Sequence, residues 1–424
     1  MTYTEALAYI DALKPGGMKP GLARMERGLS LLGRPQDKLR VIHIAGTNGK
    51  GSTARMIQAM ATANGLKTGL FTSPAVTGVR DTIQIDANPI SEAAFAALTG
   101  ELAALAPAMG EAGELSEFEL LTTMAITWFA REKTDLCVIE CGLGGRGDAT
   151  DVFDHPVAAV LTPVSLDHTA VLGHSVEEIA RAKCGILRPG CGVVCSPGQP
   201  EEALGVLLEE AAGMGLTVHV PGAAAAPIRE CTPGRLVFEW EGAPVSLSLT
   251  GAFQRDNALT ALGVMRLLET KGFPFDRAKA VEALEGIRMP CRQEVLRRHP
   301  LRMLDGAHNP HGIRALTETL LTVPEEERVP LTLLWGMLRD KDVRACVSLL
   351  APLAARAVCC APDNPRAMPG EALAALFREA GVEAVSADNP EQALVLAREE
   401  AGEGPLVGGS FFLASVIRPF LTKE

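Results

Sequence analysis

"HIAGTNGKGSTARM", residues 43–56, carries a glycine-rich turn between a β-branched run and an amphipathic stretch. Residues 39–45, "LRVIHIA", predict a short strand, and "STARMIQAMATANG" from Ser52 predicts a helix closed by Gly65. Strand, glycine loop and helix in that order are the parts of a phosphate-binding loop, where backbone N–H groups and a helix N-terminus face an anion. The usual spelling, G-x-x-x-x-G-K-[ST], sets a hydroxyl directly after the lysine. Here Gly51 separates Lys50 from Ser52. A plain turn joining strand to helix is the alternative, but the run Thr-Asn-Gly-Lys-Gly-Ser-Thr favours a cradle for ATP phosphates. Its members are Gly46, Thr47, Asn48, Gly49, Lys50, Gly51 and Ser52, with Lys50 offsetting β/γ charge.

The same pattern recurs outward from this stretch. "DLCVIECGLGG" ends an apolar strand in a glycine loop, and "VAAVLTPVSLDH" ends another in Asp-His, with helical stretches between. Alternating strands and helices predict an α/β domain with a mostly parallel sheet whose ligands gather at its carboxyl edge. A polar stretch at 221–249 precedes the helical "NALTALGVMRLLETKG", and "EGIRMPCRQEVLRRHP" reads as a linker. A second series of apolar strands, from "LRMLDGAHNP" to "GPLVGGSFFLASVIRPF", predicts a smaller α/β domain. The expected boundaries are 1–291 for the ATPase and central domain and 295–424 for the second.

A chain of 424 residues suits two domains. The net charge of −11, with three Trp and two Tyr, argues against DNA or RNA as a partner. Ten cysteines without a C-x-x-C pair give zinc and thioredoxin-like readings no support and suit a reducing compartment. Neither a leader pattern nor a stretch of membrane-span length is present, so the expected setting is cytoplasmic, with no membrane partner.

Ser73 in "GLFTSPAV", Glu140 in "CVIECGLGG" and His168 in "SLDHTAVLG" fall at predicted strand ends. Singly, each is an ordinary structural residue. Together, a hydroxyl, a carboxylate and an imidazole at a ligand-binding sheet edge suit a divalent cation that keeps waters and phosphate oxygens. Lys183, in "SVEEIARAKCGILRPG", reads from its own surroundings as a solvated surface lysine. In the second domain Asp305, His308, Asn309 and His311 follow a strand and could clasp a ribose or a transferring phosphate, although Asn-Pro also makes an ordinary turn. Arg292 in the linker is either a surface arginine or a cation that swings onto a phosphate.

Taken in order, "GTNGKGS", "ECGLGGRGDATD", "LDHTAVLG", "ARAKCGIL", "GAFQRDNALTA", "MPCRQE", "LDGAHNPH" and "GMLRDKD" resemble the successive signatures of folylpolyglutamate synthase/dihydrofolate synthase, in the Mur ligase superfamily. The resemblance implies Mur ligase architecture: a P-loop-type ATPase domain followed by a Rossmann-like domain. It also implies an ATP- and Mg2+-dependent amide ligase that phosphorylates a pteroate or folate carboxylate and joins it to L-glutamate. Thr47 to Lys50 would bind ATP phosphates, and Asn257, Arg292 and Asp305 would contact the nucleotide, with His308 near the transferred phosphate. Ser73, Glu140 and His168 would hold magnesium. Lys183 matches a lysine that is carbamylated in this family and joins the metal site, against its surface reading. Lys19, Pro20 and Gly21, then Ser116, Glu117, Phe118 and Glu119, and then Gly147, Asp148 and Ala149 fall where the family binds the pteroate portion. Expected partners are these small molecules only, with a monomeric chain.

Departures from the family pattern cluster near the acceptor pocket: Ala75 for a histidine, Asp81-Thr82 for Glu-Arg, Gly147 for a larger residue and Asp151 for the customary asparagine. Cys291 replaces a glycine elsewhere. A Mur-type ligase acting on another carboxylate is therefore a second reading. A regulatory nucleotide-binding module is a third, with little need for Glu140, His168, Lys183 and Arg292.

Overall fold

The computed structural model describes residues 1–14, 21–298, 301–323, 331–401 and 405–422. Among these the strands form three sheets. The first holds β1 (Val41–Ala45), β2 (Thr68–Phe71), β3 (Ile83–Ile85), β4 (Asn88–Pro89), β5 (Leu136–Glu140), β6 (Ala158–Leu161), β7 (Gly192–Cys195) and β8 (Val218–His219). Its order is β4-β3-β2-β5-β1-β6-β7-β8, parallel from β2 to β8 with β3 and β4 antiparallel at one edge. β1, β5 and β6 are buried along their whole length, as strands covered on both faces must be, which is why they read as continuous apolar runs. Because β1 lies between β5 and β6, their carboxyl ends converge on one point.

The second sheet, β9 (Ile228–Thr232), β10 (Arg235–Trp240) and β11 (Ala243–Leu247), is an antiparallel meander. The third holds β12 (Glu294–Arg297), β13 (Arg302–Leu304), β14 (Leu331–Trp335), β15 (Ala354–Cys359), β16 (Glu383–Ser386) and β17 (Leu406–Gly408), ordered β12-β13-β17-β14-β15-β16 and parallel apart from β12. The mixed α/β architecture, with its two largely parallel sheets, is the one expected.

Two compact units emerge, Met1–Ala223 with Asp256–Leu284, and Ala224–Arg255 with Glu285–Glu424. The boundary expected at 291–295 falls inside the second unit, which also takes in the meander. The stretch 285–300, read as a linker, contributes β12. Packed helices line the first unit's core, including Glu117–Arg131, whose Ser116 and Glu119 form a reciprocal capping box. Such a cap stabilises a helix start by about 1 kcal/mol. Among the described residues no single helix is long and apolar enough to cross a membrane.

Candidate active site

The chain leaves β1 at Ala45 and turns at Gly46, whose φ of 154° brings it against β6. A Cβ there would lie 1.9 Å from Thr162 Oγ1 and 2.8 Å from the Thr162 carbonyl oxygen, so only glycine fits. Thr47 and Asn48 donate their backbone N–H groups to the Pro163 carbonyl, at 2.9 and 3.2 Å. That docks the loop onto the β6 exit and engages both amides. The first-turn amides of the helix Lys50–Ala63, those of Lys50, Gly51 and Ser52, are ones a helix leaves without intrahelical acceptors, a donor set that an anion can use. Gly49 (φ 85°) caps that helix, and Asn257 packs so close that a Cβ on Gly49 would lie 2.4 Å from its Oδ1.

Two lysines meet on one carbonyl. Lys50 Nζ donates to the carbonyl oxygens of Gly46 (3.0 Å) and Thr47 (3.3 Å), and Lys183 Nζ donates to Gly46 at 2.8 Å. Lys183 is 4% exposed, so the surface reading of this residue is corrected. Its helix, Val176–Lys183, ends where the loop after β5 packs on it: Arg146 N–H donates to the Ala182 carbonyl at 2.9 Å. Burial, then the neighbouring Lys50 charge, pushes the Lys183 pKa down to about 7.

Glu140, the last residue of β5, is 2% exposed; Oε2 accepts the Ser73 backbone N–H at 3.2 Å, and Oε1 lies 4.0 Å from Lys50 Nζ. Ser73, Glu140, Lys50 and Lys183 thus gather at the end of β1. His168 sits further along, beyond β6, as the left-handed residue (φ 50°) before the short helix Thr169–Leu172, with Nε2 3.9 Å from Asp167 Oδ1. Among the described residues no three His, Cys, Asp or Glu side chains are grouped as a metal cage. A cation here would draw on few protein ligands, and a buried carboxylate with hydroxyl, phosphate and water oxygens suits magnesium.

Of the expected acceptor residues, Lys19 and Pro20 lie outside the described residues, and Gly21 is exposed. Phe118 stacks beside Phe71 at 5.7 Å and fills the space that a side chain at position 142 would need, 2.5 Å from such a Cβ, which places its ring beside the β5 exit. Glu117 is half-buried, and burial raises its pKa. The Glu119 carboxylate is already engaged: Arg24 Nε reaches both oxygens, at 3.1 and 3.0 Å, and Ser116 N–H donates to Oε2 at 2.8 Å. Asp148 is likewise engaged within its own loop, accepting Leu143 N–H (2.7 Å), Thr150 N–H (3.0 Å) and the Thr150 hydroxyl (2.6 Å). Gly147 is exposed and left-handed (φ 74°), with Ala149 half-buried nearby in sequence.

In the second unit, Asp305 follows β13 and is buried. Its carboxylate accepts the backbone N–H groups of Gln293 (2.8 Å) and Ala307. Desolvation raises its pKa to about 6 against those hydrogen bonds and the nearby Arg292 charge. The Arg292 guanidinium lies over the Phe411 ring at 4.6 Å, and His308 meets the same ring edge-on at 6.2 Å. His308 Nδ1 is 2.8 Å from the Gly306 carbonyl, which can only accept; the proton therefore sits on Nδ1, and in the neutral ring Nε2 carries the lone pair. Asn309 caps the helix Pro310–Leu320 by accepting Gly312 N–H, so it serves the fold. Cys291 and Gln293 both have left-handed backbones (φ 55° and 46°) around Arg292, which accounts for a glycine being usual at 291. Phe411 and Gln293 carry no signal in the sequence, since ring stacking across a sheet edge leaves no local pattern.

The chain matches the Mur ligase middle domain over residues 44–265 and the Mur ligase glutamate ligase domain over 288–409. It is 33% identical to the dihydrofolate synthase/folylpolyglutamate synthase of Bacillus subtilis over 86% of each chain. It is also 33% identical to a probable bifunctional folylpolyglutamate synthase/dihydropteroate synthase of Haloferax volcanii, covering all of this chain and 51% of that protein. The structure is similar to that of Mycobacterium tuberculosis folylpolyglutamate synthase solved with ADP and AMPPCP, with a TM-score of 0.88, 31% identity, and 100% and 99% of the two chains covered. The chain belongs to the folylpolyglutamate synthase/dihydrofolate synthase family of Mur ligases.

Proposed function

We propose that the protein is an ATP-dependent ligase that joins L-glutamate to dihydropteroate, to a reduced folate, or to both. The acceptor carboxylate attacks the γ-phosphorus of ATP, giving an acyl phosphate and ADP. The glutamate amine then attacks the acyl carbon, a proton leaves the nitrogen, and phosphate departs as the amide forms. The observation that carries this reading is the meeting of Lys50, Lys183 and the buried Glu140 at the end of β1, ahead of a helix N-terminus. Lys50 would leave the Gly46 and Thr47 carbonyls for the phosphates, supplying fixed positive charge where negative charge develops.

Gly46 to Ser52 and Asn257 hold the nucleotide in this reading; Arg292 and Asp305 are nucleotide contacts, and His308 a neighbour of the transferred phosphate, by family resemblance. A magnesium ion held by Ser73, Glu140, His168 and a carbamate on Lys183 would neutralise phosphate charge. Lys183 suits that role because its depressed pKa leaves much of the amine free to react with carbon dioxide. In this reading Phe118 would pack against a flat pterin, with Gly147, Asp148 and Ala149 and with Gly21, Ser116, Glu117 and Glu119 as the other acceptor residues that the family resemblance supplies. All ten cysteines are free thiols, in keeping with a cytoplasmic setting, and we take the chain to act as a monomer.

The test is purified protein with ATP, magnesium and labelled glutamate, offered dihydropteroate, tetrahydrofolate and a UDP-linked peptidoglycan precursor in parallel. Label should enter a pteroate product with stoichiometric ADP. Incorporation into the UDP-linked acceptor alone would overturn the acceptor assignment, and ATP turnover independent of glutamate would overturn ligation.

A further inference from the structure

The loop after β5 is fastened at Asp151, where the family commonly has asparagine. The Asp151 side chain is 8% exposed, and two different donors meet its two oxygens. Gly147 N–H donates to Oδ2 at 2.8 Å, and Arg188 Nη2 donates to Oδ1. The other arm of Arg188, Nη1, donates to the Gly185 and Leu187 carbonyls at 2.7 and 2.9 Å, in the turn that follows Lys183. Backbone packing underlies the contact. A Cβ on Gly145 would lie 2.6 Å from the Lys183 carbonyl oxygen, and one on Gly185 would lie 2.3 Å from Arg146 N, so the loop and the turn touch main chain to main chain.

An asparagine cannot replace this carboxylate. It has one oxygen and one NH2 group, and whichever way the amide turns, its NH2 faces either the Gly147 N–H or the Arg188 guanidinium, donor against donor. Gly147 has a left-handed backbone and no side chain to anchor it, so the hydrogen bond to Asp151 is the described tether on its amide. Charge-assisted bonds of this kind are stronger than neutral ones and fix direction.

We propose that Asp151, clamped by Arg188, is a positioning residue that holds Gly147–Ala149 in register with the Lys183 turn and thereby sets affinity for the acceptor; this rests on the assignment of that loop to the acceptor. The substitution of the customary asparagine by aspartate and the presence of Arg188 form one matched device. Its direct action is on the acceptor loop, because Asp151 and Arg188 bond Gly147 and the Gly185–Leu187 turn, and reach the Gly46–Ser52 loop only indirectly through Lys183.

Two measurements on full-length protein test it. Asp151→Asn should raise the acceptor KM about tenfold while moving the ATP KM less than about twofold. The double variant Asp151→Asn/Arg188→Gln should recover most of the acceptor KM, since the asparagine oxygen can take the Gly147 N–H while its NH2 donates to the amide oxygen that the second change introduces. Hydrogen exchange read on peptides covering residues 142–151 should quicken in Asp151→Asn and slow again in the double variant. A wild-type acceptor KM together with wild-type exchange in Asp151→Asn would overturn the proposal, as would equal shifts in both KM values. Were the wild-type protein to ligate no pteroate at all, the functional reading would fall, and exchange alone would still decide whether the clamp exists.

Discussion

Lys50 and Lys183 direct their ammonium groups at the same atom, the Gly46 carbonyl oxygen, from 3.0 and 2.8 Å. Two cations sharing one neutral acceptor repel each other, and the more deeply buried of the two gives up its proton more readily. That asymmetry makes Lys183 the chemically unusual residue of the pair.

With its pKa near 7, Lys183 holds a substantial neutral fraction at neutral pH, whereas an ordinary lysine holds almost none. Carbamate formation needs the neutral amine. Its occupancy should therefore climb as pH rises through about 7 and depend on bicarbonate, read as a carbamate carbon resonance with 13C-bicarbonate. Lys183→Ala should lose both the resonance and ligation. An unmodified lysine with near-normal turnover in Lys183→Ala would refute the assignment.

Lys50→Ala should lower glutamate-dependent ADP release by about 10²- to 10³-fold, the cost of removing one preorganised charge at developing phosphate oxygens. Its stability should change little, since Lys50 bonds carbonyls at a partly open loop and not a packed core. A second consequence is specific to the shared oxygen: without the Lys50 charge the Lys183 pKa should rise, and the carbamate signal should fall at pH 7. Unchanged turnover in a folded Lys50→Ala protein would remove the phosphate-loop reading.

Gly46→Ala should displace the loop, because the added methyl would overlap the Thr162 hydroxyl and press on its carbonyl. ATP affinity should fall by at least about tenfold, with a thermal midpoint lowered by several degrees. Pairing it with Thr162→Ala, which removes the hydroxyl but not the carbonyl, should restore only part of the loss. Full restoration would show that backbone crowding is unimportant.

Asp305 gives a stability signature with a definite sign. Its folded pKa of about 6 lies above the ordinary carboxylate value of about 4, so between those pH values the folded state keeps a proton that the unfolded chain has lost. Its contribution to stability is therefore present in acid and is lost as pH rises from about 4 to about 6. Asp305→Asn should flatten that slope in urea titrations, while costing about 1–3 kcal/mol because its NH2 would face one of the two backbone N–H donors. An identical pH slope in the variant would show that Asp305 does not titrate in this window.

Much of the first unit is legible in the sequence because its parts are local. The β-branched run before Gly46 and the apolar run ending at Glu140 announce buried strands, and the glycines announce the turns between them. The burial of Lys183 is not legible, since a lysine near a helix end looks alike whether it faces water or a loop some 137 residues away in sequence. The meander at 228–247 reads as a polar stretch, although β10 alternates between outward and buried residues; its Gly and Pro residues obscure the period of two. The engagement of Glu119 with Arg24, and of Asp148 with Thr150, is equally out of reach, because a carboxylate in a motif does not reveal whether fold or ligand occupies it.

The main chain passes from one compact unit to the other after Ala223, after Arg255 and again after Leu284. No single cut in the sequence therefore separates these two units. A fragment ending at Leu284 would carry β9–β11 without the strands and helices they belong with, and one starting at Glu285 would lack them. Splitting the gene for reconstitution is better done within one unit, at an exposed turn, than at the apparent border between domains. During synthesis, likewise, the meander is made before Glu285 and the rest of its own unit, with part of the other unit between them.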